Sequence, residues 1–249
     1  MADAELSRTD GLILSSGRFF FRRRNQVFPI VFLALLLGLR PALFDDPALE
    51  LANDGAALLL ALAGSGFRLW TIGLAYIKRG GVDKKIHADR LVTAGMFGVS
   101  RNPLYLGNAL VMLGLLVAIG NAVALAVGAL FFGAVYASII VAEERYLHDR
   151  FGAEYAAYCA RVPRLWPDFS LYRAAARDMT FNWRRAIQKD YSSIGAWIIA
   201  FVAIEAVEDW LSKAGGFAVT DLAGPGAAIL AVLLVLLAVR TWKKRDPAR

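Results

Sequence analysis

The chain has 249 residues, of which 58% are hydrophobic and 20% charged, and its net charge is +7. With a mean hydropathy of +0.50 it is too apolar for an ordinary soluble domain. One cysteine and two histidines exclude an intrachain disulfide, a cysteine-rich metal site and an HExxH zinc site. The expected fold is all-α, a polytopic integral membrane helical bundle.

The N-terminal stretch MADAELSRTDGLILSSGRFFFRRRN lacks the basic, apolar and small-residue order of a signal peptide. Its patch from Phe19 to Arg24 pairs aromatics with arginines, as a segment lying against anionic headgroups would. A bilayer crossing takes about 20 mostly apolar residues, and about six stretches qualify. The first is 27–44, with Pro29 near its start, and the second is 55–77, with Arg68 inside it. The third and fourth, 103–119 and 122–142, are joined by the short Gly120-Asn121 turn and form a helical hairpin. The segment 169–191 is basic and amphipathic and reads as an interfacial helix. The fifth stretch, 193–210, is interrupted by Glu205, and the sixth is 222–240.

All but three of the 28 Lys and Arg residues lie in 1–26, 78–102, 143–193 and 240–249. The exceptions are Arg40, Arg68 and Lys213, and the loops at Asp45-Asp46 and 213–221 are acidic or nearly neutral. By the positive-inside rule both termini are cytoplasmic. The same rule accounts for the basic residues without nucleic acid, which is not an expected partner. Three regions follow: 1–69 with the first spans, 70–167 around the hairpin, and 168–249 with the interfacial helix and two further spans.

Two polar segments bracket the hairpin, LVTAGMFGVSRNPLYLGN at 91–108 and EERYLHDRFGAEYAAYCARVPRLWP at 143–167. The tight far-side turn brings their near ends together. Arg101, Asn102 and Tyr105 then stand at the start of the third helix beside Glu143 and Glu144 at the end of the fourth. Asn102 suits an N-cap and Pro103 a first helical turn, whose amides would face a ligand. Gly107 permits close approach by a cofactor or a helix. Tyr155 and Tyr158 share a helical face, and Pro163 and Pro167 bend the chain so that it can fold back as a lid.

These segments resemble those of the membrane methyltransferases related to isoprenylcysteine carboxyl methyltransferase and phosphatidylethanolamine N-methyltransferase. The family pattern Arg-His-Pro-x-Tyr-x-Gly is matched by Arg101, Asn102, Pro103, Tyr105, Leu106 and Gly107, with Asn in place of His. The second pattern is matched at Glu143, Glu144, Leu147, Phe151, Gly152, Tyr155, Tyr158, Val162 and Pro163, and the upstream one at Leu91, Val92, Thr93, Gly95 and Phe97. The resemblance covers roughly residues 70 to 167 and implies an S-adenosylmethionine-dependent methyltransferase with a lipid or lipophilic acceptor. It implies a cofactor set of Gly95, Arg101, Asn102, Pro103, Tyr105, Leu106, Gly107, Glu143, Glu144, Tyr155, Tyr158 and Arg161. Glu144 and Arg101 are the candidate catalytic residues; if the acceptor is an amine, Glu144 is the first candidate to take its proton and Asp89 a poorer one. Asn102 removes any role that needs a titrating imidazole but keeps hydrogen bonding.

Outside the resemblance, Arg68 is expected to meet the acceptor or a lipid phosphate, to pair with Glu205, or to snorkel to headgroups. Arg68 and Glu205 are the candidate acceptor residues. Glu143 and Glu144 have a plainer reading as a helix end paired with Arg145 or Arg150. His87 and His148 read as surface residues and Cys159 as inert. No metal site is expected. Membrane lipids are the expected partners, and composition suggests a bacterial inner membrane. Two other functions fit the scaffold, an NADPH-dependent membrane reductase and a non-catalytic accessory subunit. The acceptor and the oligomeric state are not written in the sequence.

Overall fold

The structure is a computed structural model that describes residues 2–39, 41, 44, 46–75, 85–213, 216 and 218–247. Arg40, Asp45 and the end of the second expected span at Ile77 lie outside the described residues. The described chain is all-α: α1 (Ala2–Leu39), α2 (Pro47–Leu74), α3 (Pro103–Ala118), α4 (Ala122–Phe151), α5 (Ala153–Arg161), α6 (Tyr172–Ala175), α7 (Trp183–Ser212) and α8 (Ala223–Arg245). Three helical segments are long and apolar enough to cross a membrane, Pro47–Leu74, Ala122–Phe151 and Val219–Arg245. Pro103–Ala118 is apolar but shorter. The expected span 193–210 falls within the longer helix α7, and residues 27–39 of the first expected span fall within α1.

Local chemistry sets the ends of these helices. Asp46 caps α2, accepting from the Ala48 amide at 2.9 Å, and Pro47 follows in the first turn. Asn121 accepts from the Val123 and Ala124 amides at 2.9 and 3.1 Å and so starts α4 one residue after Gly120, whose φ is 66°. Its side-chain amide also donates to the Leu39 carbonyl at 3.0 Å, tying the hairpin turn to the end of α1.

Two expectations change. The first helix does not begin near Val27 but runs unbroken from Ala2 through Pro29. Its N-terminal half packs on α4: a Cβ on Gly17 would collide with the Ser138 backbone and lie 2.9 Å from the Ala142 methyl. The segment 169–191 is not one interfacial helix. It is a 3-10 turn at Phe169–Leu171, the short α6, and then the start of α7. Asn182 breaks it, accepting from the Arg185 amide at 2.8 Å as the α7 N-cap. Arg185 then donates to the Ile72 and Gly73 carbonyls at 2.9 and 2.6 Å. Those carbonyls belong to the last turn of α2, which has no intrahelical donor for them. This segment therefore docks on the protein, and α7 carries on into the region of the fifth expected span.

Small residues let α2 and α3 pack backbone to backbone. A Cβ on Gly64 would lie 2.6 Å from the Gly107 carbonyl oxygen, and one on Gly114 2.6 Å from that of Ala57. Such stripes are a common way for helices to associate in lipid, where burial of apolar surface gives no net drive. The main apolar core, with Phe32, Leu36, Leu116, Ile119, Phe132, Trp197 and Ile204, joins α1, α3, α4 and α7.

Arg68 is locked inside this bundle. Its Nε donates to Asp190 Oδ2 at 3.1 Å and its Nη2 to Ser193 Oγ at 3.0 Å. Its Nη2 also pairs with Asp190 Oδ1 and its Nη1 with Asn108 Oδ1. The side chains of Arg68 and Asp190 are 7% and 0% exposed, so snorkelling is ruled out. Pairing with Glu205 is also overturned. Glu205 lies 15 residues further along α7, about 22 Å along the helix axis. Removing one partner of a buried pair leaves a bare charge in an apolar interior. Asp190→Ala is expected to cost about 3–5 kcal/mol, whereas Arg68→Met with Asp190→Leu should be nearly neutral or stabilising. Unfolding titrations of both variants in detergent check this.

Candidate functional site

The hairpin turn places the start of α3 beside the end of α4, and a returning loop closes over both. Three ties hold that loop, two of them backbone to backbone. The Arg101 amide donates to the Pro163 carbonyl at 2.9 Å, the Asp168 amide to that of Val99 at 3.0 Å, and Ser100 Oγ to that of Leu165 at 2.9 Å. Ser100 Oγ also accepts from the Asn102 amide at 3.2 Å. The fold-back read from Pro163 and Pro167 is present.

Glu144 is the centre of the polar cluster. Its Oε2 lies 2.8 Å from Arg164 Nη2, and its Oε1 3.7 Å from Arg101 Nη1 and 3.3 Å from Asn102 Nδ2. Its partners are therefore not Arg145 or Arg150; Arg145 pairs instead with Asp149 at 3.3 Å. Asn102 does not cap α3 with its side chain. Its Nδ2 bridges Glu144 and the Arg164 carbonyl, the latter at 2.9 Å, while its own carbonyl accepts from the Tyr105 and Leu106 amides. Asn in place of His thus supplies two donated contacts from one nitrogen, pinning α3, α4 and the loop.

Glu143 points to a different partner. The Tyr105 hydroxyl donates to Glu143 Oε1 at 2.8 Å and accepts from Arg24 Nη1 at 3.3 Å. Arg101 Nη1 reaches Cys159 Sγ at 2.6 Å, so this cysteine is part of the cluster. Burial opposes the charge of Arg101, but Glu144 and Cys159 outweigh it and hold the guanidinium pKa above its usual value. Arg101 Nε is buried and has no hydrogen-bond partner among the described residues.

Tyr155 and Tyr158 are each 3% exposed, with rings 6.0 Å apart. The Tyr158 hydroxyl donates to the Phe97 carbonyl at 2.6 Å, fixing α5 to the 3-10 turn Gly95–Gly98. Burial pushes both phenols well above the usual tyrosine range, and Glu144 adds to this. They are neutral donors at any ordinary pH.

The remaining expected residues are placed as follows. Pro103 and Leu106 are buried in the first turn of α3. Gly107 faces α2 and the stem of Arg68, with a Cβ 2.5 Å from Arg68 Cγ, so its small size serves helix packing. Gly95 has φ 62°, and its Cβ position lies 3.1 Å from that of Leu74 and 3.2 Å from Met179 Sδ, away from Glu144. Arg161 bonds its own helix at the Ala157 carbonyl. Asp89 pairs with His87 at 2.9 Å on the surface, and His148 meets the Tyr155 ring edge at 6.5 Å. Sequence reasoning missed Arg24, Ser100, Arg164 and Cys159. Only the prolines around Arg164 signalled that its loop returns.

Residues 55–154 match the family described as phospholipid methyltransferase. The cobalt-zinc-cadmium resistance protein CzcN of Cupriavidus metallidurans is 33% identical over 175 residues, which cover 70% of this chain and 78% of that protein. The nickel-cobalt-cadmium resistance protein NccN of Alcaligenes xylosoxydans xylosoxydans is 28% identical over 148 residues, 59% of this chain and 64% of that protein. No solved structure matches. The chain belongs to the phospholipid methyltransferase family of membrane proteins, the group related to isoprenylcysteine carboxyl methyltransferase.

Glu144 carries the contacts that hold Arg164 and Asn102 to α4. Glu144→Ala is therefore expected to speed amide exchange at Asp168 about tenfold, the equivalent of one lost net hydrogen bond, while amides inside α2 and α3 keep their protection. Exchange followed by mass spectrometry checks this, and unchanged exchange at Asp168 would mean the loop is held by its backbone ties alone.

Proposed function

We propose that the protein is an S-adenosylmethionine-dependent methyltransferase acting on a lipid or lipophilic acceptor at the cytoplasmic face of a bacterial inner membrane. In this reading the chain crosses the bilayer six times and both termini are cytoplasmic. One observation carries the cofactor reading. An acid and a base-rich cluster meet at Glu144, beside a buried Arg101 Nε that has no partner among the described residues. A buried donor left unpaired costs free energy and marks a place where a ligand acceptor fits.

The residues suit the chemical parts of that cofactor. Arg101 would meet its carboxylate, Glu144 its hydroxyls, and Tyr155 and Tyr158 would offer aromatic faces to its cationic end. When bound, the cofactor supplies a methyl group on a sulfonium, open to in-line displacement. The protein's own part is to align and to exclude water. The loop 162–168 covers the start of α3 and closes the cluster from above. Alignment of two reactants is worth on the order of 7–11 kcal/mol, so no triad or metal is required of these residues. Glu144 would accept a proton from an amine acceptor.

The relatives' names attach them to metal resistance. Among the described residues no three His, Cys, Asp or Glu side chains are grouped to hold a metal ion. A role of this chain in that setting would come from altering the membrane through methylation, with the metal kept outside the reaction.

Thermal stability of the purified protein with S-adenosylmethionine, S-adenosylhomocysteine or NADPH tests the proposal. A ligand at about 100 times its dissociation constant should stabilise by about 2.7 kcal/mol. Both adenosyl ligands are expected to do so, and Glu144→Ala and Arg101→Ala to abolish the shift. A shift with NADPH alone would overturn the reading in favour of a reductase. No shift with any of the three would point to a non-catalytic subunit.

A further inference from the structure

The family-matched residues begin at position 55, and α1 lies wholly before them. Yet α1 reaches into the site. Its inner face is a stripe of Gly17, Phe21, Arg24, Phe28, Phe32 and Leu35, spaced three and four residues apart. Gly17 packs on Ser138 and Ala142, and the Phe28 ring meets Phe132 and Tyr136 at 5.1 and 5.3 Å. Phe21, Phe32 and Leu35 are buried. Arg24 is the one charged member of this stripe. Its neighbours Arg18, Arg22 and Arg23 all face outward and are exposed.

A cation in the middle of an apolar helix face is costly unless a specific partner receives it. The partner here is Tyr105. The Arg24 guanidinium carbon sits 4.6 Å from the centre of the Phe21 ring, and its Nη1 donates to the Tyr105 hydroxyl. A hydroxyl that accepts from an arginine turns its own proton the other way, here onto Glu143 Oε1. The chain Arg24, Tyr105, Glu143 therefore has one direction. Glu143 Oε2 accepts no hydrogen bond from the described residues, which leaves it for a ligand.

We propose that Arg24 is a positioning residue of the candidate site, acting through Tyr105 to hold the Glu143 carboxylate with one oxygen presented to the bound cofactor or acceptor. The proposal rests on the methyltransferase reading for what is bound, and on geometry alone for the coupling.

The test uses the full chain in nanodiscs of phosphatidylethanolamine and phosphatidylglycerol, comparing Arg24→Leu, Arg24→Lys, Tyr105→Phe and the Arg24→Leu/Tyr105→Phe double variant. Leucine continues the apolar stripe, so Arg24→Leu should keep the thermal midpoint at or above that of the parent. Transfer of labelled methyl from S-adenosylmethionine to lipid should fall at least tenfold in Arg24→Leu and in Tyr105→Phe, no further in the double variant, and recover in part in Arg24→Lys. A parental rate in Arg24→Leu overturns the proposal. If the parent protein neither binds S-adenosylhomocysteine nor transfers methyl, the methyltransferase reading fails by itself. The coupling is then decided by thermal midpoints. Non-additive midpoint changes for Arg24→Leu and Tyr105→Phe uphold it, and additive changes overturn it.

Discussion

The ion pair between Arg68 and Asp190 is the constraint on which the bundle turns. A guanidinium buried in α2 cannot stand alone, because an isolated ion in an apolar interior costs several kcal/mol even after relaxation. It is answered by Asp190 and Ser193 from α7 and by Asn108 from α3, so one side chain fixes three helices in one register. Gly107 exists in its motif position because the stem of Arg68 passes there. Helix α7 lies outside the family-matched residues 55–154, yet through Asp190 it is part of the same core. Four of the five N–H donors of Arg68 are used inside the protein, on Asp190, Ser193 and Asn108.

With α2, α3 and α7 fixed, the hairpin of α3 and α4 presents its polar ends at one place. Glu144 is then a hub with three donors from two segments: Arg101 and Asn102 before α3, and Arg164 on the returning loop. The two adjacent glutamates part company there. Glu144 turns to the loop and Glu143 to Tyr105, because successive residues on a helix project about 100° apart. Glu144 ties the returning loop to α4, and Glu143 receives the Tyr105 hydroxyl. Asn102 can serve this hub without a ring. Its function in this chain is to donate, and one amide nitrogen reaches both Glu144 and the Arg164 carbonyl.

Much of the site was legible in the sequence and less of the packing. The residues 101–107 and 143–158 bracket an apolar hairpin, and a hairpin has only one way to bring its open ends together. Membrane length and the Gly120-Asn121 turn therefore implied that Arg101, Asn102 and Tyr105 stand near Glu143 and Glu144, but not that Asn102, which suited an N-cap, turns its side chain to Glu144. Arg24 was not legible, because a basic cluster beside a span has a sufficient explanation in membrane topology. Which of four arginines turns inward depends on the register of α1 against α4. Asp190 was hidden for a similar reason: it sits in a basic amphipathic stretch that reads as surface. Arg185, in the same stretch, satisfies the end of α2 instead of a headgroup.

The sequence by itself determined the class of the protein. Hydrophobic runs demand helices, since every backbone group in lipid must find its partner within the segment, and charge placement orders the loops. Local chemistry at Asp46, Asn121 and Pro103 determined where helices begin. Tertiary structure decided what the isolated charges do. Arg68, Arg24 and Glu143 each have several chemically sound partners in the chain. Only the packing of α1, α4 and α7 against the α2 and α3 pair selects one. A charge taken out of water must be met by the group that the fold, and not the sequence neighbour, places within reach.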